Sequence, residues 1–233
     1  MNKLLEKVRL SWWNRAYNII WKDSLYKKNI TFSTNTQEER DYLVSFLSGN
    51  ILSKGCKAVL DIGCGNGNLG EEVFKNCEML IQADYSFSAL ETAKKTSSSL
   101  KRYMFQSDAG NLPFKDNTFD YIFMYSLLHN SGSIQNARKW VSLAIHLLKN
   151  GGRLYIGDVP LKNELCRELR RRIKNVRSLN ELKYFFAEFM QISFSIDDFL
   201  GFSEVAQLKI IPQPASLKFH GWRVDIEIQK GCK

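Results

Sequence analysis

The stretch VLDIGCGNGNLG, residues 59–70, decides the fold. An apolar strand reaches Asp61, and Gly63, Gly65 and Gly67 then let the backbone turn tightly and approach a ligand with no Cβ in the way. The loop opens a helix, and a helix N-terminus favours a negative group. Outward from this point, apolar strands alternate with helices. KAVLDI (57–62) is the first strand, followed by the loop and a short helix EEVFKN (71–76). MLIQAD (79–84) is the second, before the helix SFSALETAKKTSS (86–98); KRYMFQSD (101–108) is the third. FDYIFMYS (119–126) is the fourth, and the helix after it, SIQNARKWVSLAIHLLKN (133–150), is closed by Gly151 and Gly152 before the fifth strand RLYIGDV (153–159). Near-continuous apolar strands separated by helices mean a parallel sheet covered on both faces.

After Pro160 the alternation stops. Leu161, Leu165, Leu169, Ile173 and Val176 make one stripe of a helix whose other face carries Arg170, Arg171 and Arg172, and the aromatic segment YFFAEFM (184–190) follows. SEVAQLKIIP (203–212) and WRVDIEIQ (222–229) then read as a terminal hairpin, which makes the sheet mixed. Ahead of the first strand, a capping-type STNTQEE (33–39) starts a helix through Tyr42, Leu43, Phe46 and Leu47 to Gly49. Before that, LLEKVRLSWWNRAYNIIW (4–21) is an amphipathic helix with Trp12, Trp13 and Trp21 among basic neighbours. The expected organisation is a helical lid over residues 1–35 and a domain over 36–233, with its core at 57–158 and a helical insertion at about 160–194.

The 233 residues suffice for one domain, and 44% hydrophobic against 24% charged residues exclude a disordered or fibrous chain. No apolar run approaches the roughly 20 residues of a spanning helix, and Lys3, Glu6, Lys7 and Arg9 break any secretory h-region. The five cysteines are odd in number and include no C-x-x-C pair, so neither a zinc site nor a disulfide framework is expected, and a cytoplasmic location suits the chain. The net charge of +9 is unevenly placed: residues 1–30 and residues 160–183 each net +5, leaving the rest at −1. Two basic appendages on a near-neutral body bear on partners.

Taken literally, GNGNLG (65–70) also satisfies G-x-G-x-x-G, and Asp84 lies 19 residues past Gly65, so a nicotinamide dinucleotide site competes. Two details oppose it. Such a site puts its first glycine directly at the strand end, whereas here Asp61-Ile62-Gly63 comes first. An acid there repels a pyrophosphate but pairs with a cationic ammonium.

VLDIGCGNGNLG resembles the first motif of the class I S-adenosylmethionine-dependent methyltransferases, and further landmarks follow in that family's order over about residues 57–158. The resemblance implies S-adenosyl-L-methionine as cofactor, with Asp61, Gly63, Cys64, Gly65 and Gly67 around it. In LIQADYS (80–86) it puts Asp84 on the ribose hydroxyls and Tyr85 on the adenine. In QSDAGNLPFKDNTFDYIF (106–123) it brings Asp108 and the Ala109 backbone to the adenine amino group. HLLKNGGRLYIGD (146–158) resembles the family's helix, Gly-Gly turn and fifth strand. The implied architecture is α/β: a doubly wound, seven-stranded, mostly parallel sheet with a C-terminal antiparallel hairpin, an N-terminal lid and an insertion after strand five.

In such a sheet the acceptor lies beyond the C-terminal strand ends, beside the cofactor. YSLLHN (125–130) brings Tyr125, Ser126, His129 and Asn130 to that cleft, Tyr125 on the cofactor side. His129, with an ordinary pKa of about 6.5, is the candidate general base; otherwise it is a loop histidine that shapes the pocket. Asp158, ending strand five, also faces the cleft, whereas His146 sits mid-helix and His220 in the hairpin turn. YSLL lacks the Asn/Asp-Pro-Pro-aromatic tetrad found in enzymes that methylate exocyclic amines. The expected reaction is therefore O-methylation of a small, anionic or sugar-containing molecule. RNA methylation through the basic appendages and a non-catalytic cofactor-binding subunit are the alternatives, and peripheral membrane contact through the first helix is a further expected role.

Overall fold

A computed structural model describes residues 36–51, 57–96, 102–162, 191–202, 206–217 and 220–231. The expected lid, the arginine cluster and the aromatic segment at 184–190 lie outside them. The described elements run, in chain order, α1 (Gln37–Ile51), β1 (Ala58–Ile62), α2 (Asn68–Val73), β2 (Met79–Asp84), α3 (Phe87–Thr96), β3 (Arg102–Gln106), β4 (Phe119–Tyr125), α4 (Ile134–Leu147), β5 (Leu148–Pro160), α5 (Asp197–Leu200), β6 (Ala206–Pro212) and β7 (Arg223–Lys230).

The seven strands form one sheet in the order β3-β2-β1-β4-β5-β7-β6. The first five are parallel to one another, and β7 runs antiparallel to both β5 and β6. Side-chain alternation sorts the core into two layers. Tyr121, Phe123 and Tyr125 of β4 face one side with Val59, Leu43 and Leu47 of α1, and Leu69 and Val73 of α2. Ile122 and Met124 face the other side with Leu60, Ile62 and the apolar stripe Ala137, Trp140, Val141, Ala144 and Ile145 of α4. Sheet order reverses direction from β1 to β4, so the loops after these two strands diverge and leave a crevice at their C-terminal ends.

Among the boundaries that differ from the sequence reading, two have a local cause. Helix α4 ends at Leu147, not Asn150, and the chain passes straight into β5. Lys230 Nζ donates to the carbonyls of His146 (3.2 Å) and Leu148 (2.7 Å), so a strand-borne lysine finishes the helix before the glycines are reached. The extra residues are absorbed as a register shift between Phe119↔Leu148 and Tyr121↔Arg153. Helix α2 starts at Asn68, three residues earlier than the charged EEVFKN segment suggested, because Asn66 Oδ1 accepts from the Asn68 N–H at 3.2 Å.

Candidate active site

The glycine loop is tied down from below. The Gly63 and Cys64 N–H groups both donate to the Ala83 carbonyl, at 2.7 and 3.2 Å, and Gly67 N–H donates to the Cys64 carbonyl at 2.9 Å. Asp84, at the end of β2, holds the loop from the side. One carboxylate oxygen accepts from Gly65 N–H at 2.8 Å and the other from Ser86 N–H at 2.7 Å. Burial raises the Asp84 pKa, against the pull of these two donors.

Under the loop lies a network that sequence reading missed. Gln82 Nε2 donates to Asp61 Oδ2 at 2.8 Å and to the Gly67 carbonyl at 2.9 Å. Its Oε1 accepts from Arg102 Nε, and Arg102 Nη1 pairs with Glu71 of α2. An arginine has only donors, so it fixes which end of the Gln82 amide faces Asp61. Asp61 is 3% exposed. Burial raises its pKa to about 7, while the Gln82 bond and Arg102 pull downward and Asp84 adds a smaller upward push. Burial, with Asp84 and Asp61 close by, also keeps Cys64 a neutral thiol. The network explains two glycines. Gly67 has φ +73°, and a Cβ there would run into the Arg102 guanidinium; a Cβ at Gly70 would overlap Asp61 Oδ2. Gly70 thus makes room for a carboxylate, which removes the support that G-x-G-x-x-G lent to a dinucleotide site.

Asp108 lies two residues beyond β3, where its Oδ1 accepts from Gly110 N–H at 2.7 Å and its carbonyl from Asn111 N–H at 3.0 Å. Ala109 is buried, and a Cβ on Gly110 would come within 2.9 Å of Trp140 Nε1, so α4 backs this turn. Tyr85 is 48% exposed at the cleft rim, its carbonyl held by Gln106 Nε2 at 2.9 Å. Asp61, Gly63, Cys64, Gly65, Gly67, Asp84, Tyr85, Asp108 and Ala109 thus line up along the C-terminal edge of β1 to β3. Tyr125 stands apart from them: its ring stacks on Phe123 at 5.8 Å and would be struck by a Cβ on Gly157.

A second polar group fills the C-terminal ends of β4 and β5 and the N-terminal end of the antiparallel β7. Ser126 and Asp158 both take positive φ, 56° and 64°. Ser126 N–H donates to the Gly157 carbonyl at 3.1 Å, and its Oγ donates to Asp158 Oδ2 at 2.7 Å. Arg223 Nη1 meets the same oxygen at 2.5 Å, and Nη2 reaches Gln191 Oε1 at 2.8 Å. Asp225 accepts from the Asp158 N–H, Tyr155 Oη and Gln213 Nε2. Burial raises the Asp225 pKa to about 6, against those three donors.

His129 sits on a 3-10 turn, Leu128–Asn130, after β4 and is 2% exposed. Burial lowers its pKa to about 3, Arg223 adds to the fall, and Asp158 opposes it through its charge and its backbone. The imidazole is neutral, and among the described residues its Nδ1 has no hydrogen-bond partner. The Tyr125 hydroxyl, buried with Asp225, Asp158 and Arg223 around it, has none either. The other histidines are engaged elsewhere, His146 Nδ1 with the Ser142 carbonyl and His220 Nδ1 with that of Gln213. Among the described residues, no group of three or more His, Cys, Asp and Glu could hold a metal ion, and no helix is long and apolar enough to cross a membrane.

A family model described as "Methyltransferase domain" matches residues 60–156. The N-methyltransferase NodS from Bradyrhizobium japonicum WM9, solved with S-adenosyl-l-homocysteine, is similar over 93% of this chain and 97% of its own, with a TM-score of 0.66 and 14% identity. Among curated relatives, the demethylmenaquinone methyltransferase of Tropheryma whipplei (strain Twist) is 32% identical over 42% of this chain and 40% of its own. The 27-O-demethylrifamycin SV methyltransferase of Amycolatopsis mediterranei is 25% identical over 64% of this chain and 53% of its own. The chain spans only about half, or less, of the length of these curated relatives. Residues 60–156 thus match a methyltransferase domain, and the sheet has the Rossmann-like fold and strand order of the S-adenosylmethionine-dependent methyltransferases it resembles.

Proposed function

We propose that this protein transfers the methyl group of S-adenosylmethionine to a hydroxyl oxygen of a small molecule. The observation that carries the reading is the row of Asp61, Asp84 and Asp108 around a glycine loop at the C-terminal edge of the parallel strands. Carboxylates at that place suit a nucleoside that ends in an amino acid: Asp84 for the ribose hydroxyls, Asp108 with the Ala109 backbone for the adenine amino group, Asp61 for the ammonium. They repel a pyrophosphate. Tyr85, at the rim, offers its face to the adenine, and Cys64 belongs to the same wall.

The bound cofactor supplies a methyl group already activated for displacement, so the protein's task is alignment and removal of the hydroxyl proton. His129 is proposed to take that proton on Nδ1. At a pKa of about 3 it is too weak to strip a resting hydroxyl, so the proton leaves only as the oxygen bonds to the methyl carbon. The similarity to a methyltransferase of 27-O-demethylrifamycin SV supports oxygen as the acceptor atom. The two basic segments, each +5, support an acceptor of negative charge.

The test is binding and turnover together. Labelled S-adenosylmethionine should bind, NAD should not, and label should pass to an extract component identified by mass spectrometry. His129→Ala should lower turnover on that acceptor about 100-fold or more with S-adenosylhomocysteine affinity unchanged. NAD bound in preference to S-adenosylhomocysteine would sink the reading.

A further inference from the structure

The Glu71–Arg102–Gln82–Asp61 chain joins four elements: α2, β3, β2 and β1. The arginine side chain is 1% exposed, and parallel register brings it there by pairing Leu80 with Arg102 and Asp61 with Gln82. A buried ion pair is not by itself stabilising, since desolvation offsets much of the attraction. This pair does something narrower. It dictates the direction of the Gln82 amide, and that amide clamps Asp61 Oδ2 and the Gly67 carbonyl at once. We propose that Arg102 is a positioning residue for the amino-acid end of the cofactor, holding the Asp61 carboxylate through Gln82 while touching no part of the ligand itself. The proposal rests on the cofactor reading above. It separates the two ends of the ligand: the nucleoside end depends on Asp84 and Asp108, whereas the amino-acid end depends on the relay.

The experiment compares two probes by equilibrium dialysis with labelled compounds. S-adenosylhomocysteine carries the amino-acid end, and 5′-methylthioadenosine lacks it. Arg102→Met should weaken S-adenosylhomocysteine about tenfold or more and change 5′-methylthioadenosine less than about twofold. Arg102, Asp84 and Cys64 are the ionisable groups facing Asp61, with Glu71 behind the arginine. Loss of Arg102, the cation among these described groups, leaves Asp61 harder to ionise, so part of the lost affinity should return as the pH is raised from about 7 to about 8, where the probe's ammonium is still charged. Arg102→Lys should restore part of it at neutral pH. Glu71→Gln, at a more accessible position, should act in the same direction and serves if Arg102→Met does not fold. Equal losses for both probes, or an unchanged S-adenosylhomocysteine affinity in folded variants, would overturn the proposal. Wild-type protein that binds neither probe would overturn the cofactor reading and this inference with it.

Discussion

Gly70 and Gly49 are both helical glycines, and they predict opposite outcomes for the same substitution. A Cβ at Gly70 would collide with Asp61 Oδ2 and crowd Gln82 Nε2 at 2.9 Å, so Gly70→Ala should displace the carboxylate and lower both stability and S-adenosylhomocysteine affinity. Among the described residues Gly49 meets nothing within 4 Å, so Gly49→Ala should raise stability by about 0.5–1 kcal/mol through lost unfolded-state freedom. Chemical denaturation of the two variants checks both signs. Asp84→Asn is a sharper probe. Both Asp84 oxygens receive backbone N–H groups, and an amide must turn its own donor toward one of them, which should loosen the loop as well as cofactor binding.

Helix α4 depends on its first turn. Ser133 Oγ accepts from the Asn136 N–H at 3.1 Å, and Asn136 Nδ2 reaches back to the Ser131 carbonyl at 2.7 Å. Ser133→Ala should cost about 1 kcal/mol in thermal or denaturant unfolding, with cofactor affinity intact because the α4 residue that backs the Asp108 turn, Trp140, lies about two helical turns beyond the cap. Elements of this kind were largely legible in the sequence. The strands that line the site are apolar runs, and Asp61 and Asp84 stand at the ends of two of them next to a glycine loop. What could not be read were partners made neighbours only by strand register. Arg102 lies 20 positions from Gln82, and nothing local in KRYMFQSD marks it as the residue that aims an amide under the loop. Gln82 in MLIQAD was the one available signal, a polar residue inside a strand buried on both faces. The Arg223–Asp158 pair, 65 positions apart, was hidden for the same reason.

For the molecule as a whole, three buried groups with large shifts among the described residues shape the pH response, and Asp84, also raised by burial, acts in the same direction as the other two carboxyls. His129 falls from 6.5 to about 3 on folding, so between those values the unfolded chain binds the extra proton, and acidification destabilises the fold. Asp61 and Asp225 rise from 3.8 to about 7 and about 6, so the folded chain keeps protons that the unfolded chain has released. Their contribution is full below 3.8 and is lost as the pH climbs through those higher values. Two carboxyls outweigh one imidazole above 3.8, so for these groups stability should increase as the pH is lowered from about 7 to about 5. Melting temperatures across that range check the slope, and Asp61→Asn should flatten its upper part. Arg223→Met should cost about 3–5 kcal/mol, because it removes the guanidinium that pairs with the fully buried Asp158 side chain.

The sheet order also has a consequence in time. Strand β7 follows β6 in the chain yet lies between β5 and β6, so β5 has no neighbour on that side until β7 has been made. Asp158 leaves the ribosome 65 residues before Arg223, and during that interval the nascent chain carries an open strand edge with a carboxylate at its end. The glycine-loop half of the sheet can pair as it emerges; the half that holds His129 and Asp158 must wait. A stalled or truncated product that lacks β7 would therefore present a sticky edge to other chains, which makes the late residues of this protein guardians against its own aggregation.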